Sequence, residues 1–214
     1  MNPADTPIRA VLFDFGGVVL TSPFDAFARY EREHGLPDGL IRHLNATNPD
    51  QNAWARLERS EVSLEEFCAL FESEASAAGH ALVGRDVLAL LSGELRPQMV
   101  EAVRCCSERL VTAMLTNNFV MGDGHVDRES EMGAVLALFD AVIESSKIGV
   151  RKPDPRFYQL ACAQLDIQPN EAVFLDDLGI NLKPARALGM TTIKVVDPDV
   201  AIAELESIVG FPLR

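Results

Sequence analysis

The chain has 214 residues, 48% of them hydrophobic, which is enough for one well-buried core plus a smaller module. Its 19 Lys and Arg against 32 Asp and Glu give a formal net charge of −13, which argues against nucleic acid or an anionic membrane surface as a partner. No apolar run approaches the roughly 20 residues that cross a bilayer, and MNPADTPIRA has neither the cationic nor the apolar region of a secretion signal, so a cytoplasmic protein is expected.

In chain order, the apolar run before Asp14 predicts a first strand over residues 8 to 13. FGGV follows, with two glycines that let the backbone turn sharply and approach a ligand. From Pro23 to Leu95 the pattern is helical. Within it, SLEE at Ser63 to Glu66 is a capping-box pattern ahead of an amphipathic run with Leu64, Phe67, Cys68, Leu70 and Phe71. Phe24, Phe27, Tyr30, Trp54 and Phe71 are expected to be the core of this segment rather than a recognition surface. NATNPDQN at 45 to 52 and MGDGHVD at 121 to 127 read as polar loops.

Helical character continues to about residue 108, and strands follow near 110 to 115, 139 to 144, 172 to 176 and 191 to 196. Asp154-Pro155 reads as the N-cap and first position of a helix, and Gly189 as the glycine after another. Alternating strands and helices imply an α/β fold with a doubly wound parallel sheet. Residues 1–20 and 96–214 would form it, with 21–95 inserted as a helical cap over the carboxyl ends of the strands. Cys68, Cys105, Cys106 and Cys162 show no CxxC spacing and no neighbouring histidine pair, so reduced, mostly buried thiols are expected rather than a zinc or redox site.

The chemistry lies where apolar strands stop on polar groups. Asp14 ends the first strand, and such a carboxylate either attacks a substrate or is an ordinary turn residue. Asp176 and Asp177 end another; adjacent acids there repel unless a cation or proton compensates, and a hard ion such as magnesium suits them better than zinc. One of the two can also cap the helix beginning near Gly179 or Asn181. Thr116 ends VTAMLT and is followed by the donors Asn117 and Asn118. Lys152 precedes Pro153, which biases it toward an extended conformation, and supplies the local positive charge an acidic protein needs to attract an anion.

With these residues in this order, the chain resembles the haloacid dehalogenase superfamily: FDFGGV with Asp14, LTNN with Thr116, the KP loop with Lys152, and FLDD with Asp176 and Asp177. FDAVIESSKIGVRKPDPRFYQLA and AVFLDDLGINLKPARALGMTTI look most like the phosphatase domain at the amino end of soluble epoxide hydrolases and its bacterial relatives. The resemblance implies a Rossmann-like core with a helical cap and a phosphatase that acts on a small phosphorylated metabolite. Asp14 would form an aspartyl-phosphate. Its other oxygen, the backbone carbonyl of Gly16 and Asp177 would hold Mg2+, assisted by Asp176. Thr116 and Lys152 would bind the transferring phosphoryl group, with Asn117 and the amide of Gly17 as further donors.

Phosphatases of this superfamily usually carry a second aspartate two residues after the nucleophile, and here that position is Gly16. The lost side chain would protonate the leaving oxygen and activate water, a service worth about 10² to 10⁴-fold. A slow hydrolase that favours good leaving groups and accumulates phospho-enzyme is expected. Asp25, His34 and His125 are the substitutes the cap and loop offer, and none stands out. A weakly catalytic domain that binds a phosphorylated ligand or a protein partner is the alternative, and a metal-free 2-haloacid dehalogenase a weaker one.

Overall fold

Five short strands form one parallel sheet in the order β3-β2-β1-β4-β5: β1 (Ala10–Phe13), β2 (Val111–Thr116), β3 (Ala141–Glu144), β4 (Ala172–Asp176) and β5 (Thr191–Lys194). The computed structural model describes residues 6–119 and 130–214. The predicted loop at 121–127 and His125 therefore lie outside the described residues. β1 is central, with Phe13 in register with Met114 on one side and Leu175 on the other. The chain moves outward from β1 in one direction through β2 and β3 and in the other through β4 and β5. Such an order leaves a crevice at the carboxyl ends of the central strands, where ligands bind in open α/β sheets.

Strand alternation sends side chains to two cores. Val11, Phe13, Met114, Val173 and Leu175 pack on one face against α6 (Pro97–Ser107), α7 (Glu131–Leu136) and α11 (Pro198–Val209). Ala10, Leu12, Ala113, Leu115 and Phe174 pack on the other against α9 (Pro155–Leu165) and α10 (Gly179–Ala187). The sheet is thus doubly wound, and its near-continuous apolar strands are those of a sheet covered on both sides. Asp154 caps α9 ahead of Pro155, as the sequence predicts, and Gly189 follows α10 with φ +106°. Among the described residues no helix is long and apolar enough to cross a membrane.

Residues 24–89 form five helices: α1 (Phe24–Glu33), α2 (Leu40–Ala46), α3 (Ala53–Glu58), α4 (Leu64–Ala77) and α5 (Gly84–Ala89). They share a third core in which Phe67 lies edge-on to Trp54 at 4.8 Å and stacked on Phe71 at 5.5 Å. The Ser63–Glu66 capping box starts α4 as the sequence predicts. The insertion leaves and rejoins the sheet at one place, where Leu20 pairs with Leu95 and the N–H of Arg96 donates to the Val19 carbonyl at 2.9 Å.

Several local readings need correction, among them the first strand, which starts at Ala10 rather than residue 8, and the last, which ends at Lys194 rather than 196. The stretch 45–52 is partly helical, because Asn45 and Ala46 close α2 and Asn52 caps α3, accepting the Ala55 N–H at 2.8 Å. A polar residue that satisfies helix ends reads as loop in sequence. The third strand starts two residues late: Phe139 turns inward to meet the Phe13 ring edge-on at 6.1 Å, and Asp140 accepts the Thr112 N–H.

Phe67→Ala would leave a cavity between two aromatic rings, and urea denaturation should show a loss of about 3–5 kcal/mol.

Candidate active site

β1 and β4 lie side by side, so Asp14 and Asp176 are delivered to the same edge, and Asp14 donates its backbone N–H to Leu175 at 2.8 Å. The Lys152 ammonium joins them, 2.9 Å from Asp14 Oδ1 and 2.8 Å from Asp176 Oδ2. Lys152 is 1% exposed, so the lysine that a sequence would read as solvated is among the most buried side chains of the chain. Thr116, at the end of the neighbouring strand β2, is also buried at this edge.

Each acid has a different set of partners. Asp14 Oδ1 accepts the Phe15 N–H at 2.6 Å. Asp176 is saturated by protein donors: Oδ1 takes the Leu178 N–H at 2.8 Å, Oδ2 takes Lys152, and Asn181 Nδ2 reaches both oxygens. Asp176 thus braces Leu178, the residue just before α10, and Asn181 within it, but supplies no side-chain cap to that helix. Asp177 stands beside the 15–19 loop. A Cβ on Gly17 would fall 2.3 Å from Asp177 Oδ2, and Gly17 has φ +83°, so space and backbone both demand glycine there.

Oxygens of Asp14, Asp176 and Asp177 lie within 4.8 Å of one another. One ammonium against three carboxylates leaves negative charge uncompensated. Burial pushes Asp177 up to about 6, with Asp176 adding to the shift. Burial also drives Asp14 well above the ordinary carboxylate range, Lys152 opposing and the two other acids reinforcing. Lys152 is raised despite the burial that opposes its charge, because Asp14 and Asp176 outweigh it. Crowded carboxylates of this kind could hold a hard divalent cation, which would relieve their repulsion.

The sequence of the whole chain points to one family. A model of the haloacid dehalogenase-like hydrolases matches residues 8–189. The chain belongs to that family.

Among its relatives, mouse acyl-CoA dehydrogenase family member 10 is 39% identical over 96% of this chain, and pig bifunctional epoxide hydrolase 2 is 34% identical over 96%. The chain spans only 20% and 40% of the length of those two proteins. Phosphatase MT3486 of Mycobacterium tuberculosis is 34% identical over 86% of this chain and 85% of its own length. A HAD family enzyme of Bacteroides thetaiotaomicron, solved in complex with magnesium and inorganic phosphate, shares the fold at 18% identity with a TM-score of 0.59, covering 87% of this chain and 93% of that one.

Several contacts at the site carry no obvious sequence signal, even where the residue itself, as with Asn117 and Asn118, is expected at the site as a donor. Arg96 donates Nη1 to the Gly17 carbonyl at 3.0 Å, holding the turn from across the sequence. Asn181 is predicted only as a helix start, yet its amide orients Asp176. Asn117 places both ends of its side-chain amide on the backbone of Lys152, at 2.8 and 2.9 Å, and so positions the lysine. Asn118 ties the same loop to Glu144, Ser145 and Ser146 at the end of β3. Asp25 and His34 are exposed, and His34 stacks on Tyr30 at 3.9 Å.

Asp177→Asn removes one crowded charge. Its native carboxyl is raised above the unfolded value, so it binds more protons folded than unfolded and costs stability as pH rises from about 4 to about 6. The metal-free variant should therefore melt higher than wild type above pH 6, by about 2–4 °C per kcal/mol of repulsion removed, and the difference should vanish below pH 4.

Proposed function

We propose that the chain is a magnesium-dependent phosphatase, hydrolysing a phosphoric monoester of a small metabolite through an aspartyl-phosphate on Asp14. The observation that carries this reading is the buried Asp14–Lys152–Asp176 triplet with Asp177 beside it. A phosphatase relative that matches most of both chains, and a fold relative solved with magnesium and phosphate, support it. Asp14, the Gly16 carbonyl and Asp177 would hold the ion, with Asp176 behind them fixing Lys152. When bound, magnesium supplies positive charge against the phosphoryl oxygens.

Asp14 attacks phosphorus as the ester P–O bond breaks, and water then cleaves the aspartyl-phosphate. Lys152, held against Asp14 and Asp176, supplies an ammonium that offsets charge developing in the transition state. The Thr116 hydroxyl and the Gly17 amide donate to phosphoryl oxygens. The helical insertion acts as a cap that selects the substrate. Gly16 itself offers no proton, so leaving groups that are stable as anions depend least on whichever other residue protonates the departing oxygen.

Phosphate release should be greatest from aryl and acyl phosphates, begin with a burst of leaving group, and stop on chelation of magnesium or in Asp14→Asn. Lys152→Met should lower kcat by about 10² to 10³-fold. No Asp14-dependent release from aryl, acyl, sugar or lipid phosphates, with magnesium and phosphate still raising the Tm, would favour a phosphoryl-binding domain instead.

A further inference from the structure

Glu58 closes α3 of the insertion and lies against the loop that carries Lys152. Its Oε2 is 2.7 Å from Nε of Arg151, the neighbour of Lys152, and the two side chains are only 13% and 17% exposed. Those two atoms face each other out of line for a hydrogen bond, so the carboxylate oxygen is paired in charge but not saturated. The same carboxylate interacts with the Asn117 amide, one residue beyond Thr116. Arg151 also donates Nη1 to the Pro49 carbonyl at 2.9 Å, and Ser60 Oγ donates to the Ser146 carbonyl at 2.9 Å, which fixes this end of α3 on the core.

The other acids of the insertion that are tied into its fold have different tasks. Glu31 accepts the N–H groups of Gly39 and Ile41, Glu74 that of Ala53, and Glu72 that of Gly84. Glu58 instead abuts the residues that position Lys152.

Resting on the phosphatase reading, we infer that Glu58 is the acid and base that replaces the side chain missing at Gly16. In the first step Asp14 forms its bond to phosphorus, the ester P–O bond breaks, and the departing oxygen takes the Glu58 proton. In the second the Glu58 carboxylate takes a proton from water as the water oxygen bonds to phosphorus. The P–O bond to Asp14 then breaks, restoring the Asp14 carboxylate and a protonated Glu58. The groups facing Glu58 are Arg151, Lys152 and Arg59, while Lys147 on α8 (Ser145–Ile148), packed against α3, pairs with Glu144. Burial pushes the Glu58 carboxyl up in spite of those cations and the Asn117 amide, which suits a proton donor.

The test compares kcat for an aryl and an alkyl phosphate in wild type, Glu58→Gln, Arg151→Gln, Asp14→Asn and the double variant Gly16→Asp with Glu58→Gln. Gly16 has φ −69° and ψ 126°, and no atom within 4 Å of where a Cβ would stand, so an aspartate fits there. Glu58→Gln should lower alkyl turnover by about 10²-fold or more, with a much smaller effect on release of the aryl group. It should also flatten the basic limb of the alkyl pH profile, where a proton donor is lost, and increase the phospho-enzyme trapped on Asp14 with the aryl substrate. Adding Gly16→Asp to Glu58→Gln should restore alkyl turnover, which repair of a purely structural defect would not do. Arg151→Gln breaks the same ion pair but keeps the carboxylate, and should leave the aryl-to-alkyl ratio unchanged. An unchanged ratio in Glu58→Gln, or equal shifts in Glu58→Gln and Arg151→Gln, would overturn the role of Glu58 while leaving the phosphatase reading intact. Activity indifferent to Asp14→Asn would overturn both.

Discussion

The arrangement at the sheet edge depends on one buried ammonium. Lys152 is held between Asp14 and Asp176 at 2.9 and 2.8 Å, and through them it joins the ends of β1 and β4 to the loop before α9. A buried ion pair of this kind contributes little net stability, because desolvating its charges offsets most of their attraction, yet removing one partner is expensive. Its value lies in position. Asn181 and the Leu178 amide fix Asp176, Asp176 and Asn117 fix Lys152, and Lys152 meets Asp14, so each group is oriented by one that is already oriented.

Much of this was legible in the sequence. Apolar runs that stop on Asp14, Thr116 and Asp176 could be placed because a strand buried on both faces reads as unbroken hydrophobicity, and the parallel order followed from helices between strands. The capping box at Ser63 and the Asp154-Pro155 start were legible because they are local chemistry. Asn45 was misread as loop because a polar residue in the last turn of a helix and a loop asparagine look alike until the helix before it is seen. Arg96, 79 residues from the Gly17 carbonyl it holds, has no local signature at all. The burial of Lys152 was equally invisible, since it results from three separate segments closing over one side chain.

The electrostatics of the site and of the whole chain run in the same sense, against an anion. The protein carries a net charge of −13, and its candidate site adds three acids to one lysine, so an anionic ligand meets repulsion at every distance until a cation is present. The open space at Gly16 contrasts with Gly17 next to it, where a single methyl group would strike Asp177. Two adjacent glycines thus have unrelated reasons: one is required by packing, the other by nothing in its surroundings.

The insertion begins and ends at the paired residues Leu20 and Leu95, with its two tethers hydrogen-bonded to each other. Its aromatic core is separate from the two cores that flank the sheet. A segment whose ends lie together can be lengthened, shortened or replaced without disturbing the register of the strands beneath it. Recombination between relatives at these two leucines would exchange the whole helical module as a cassette, while the charged groups on the sheet are inherited unchanged.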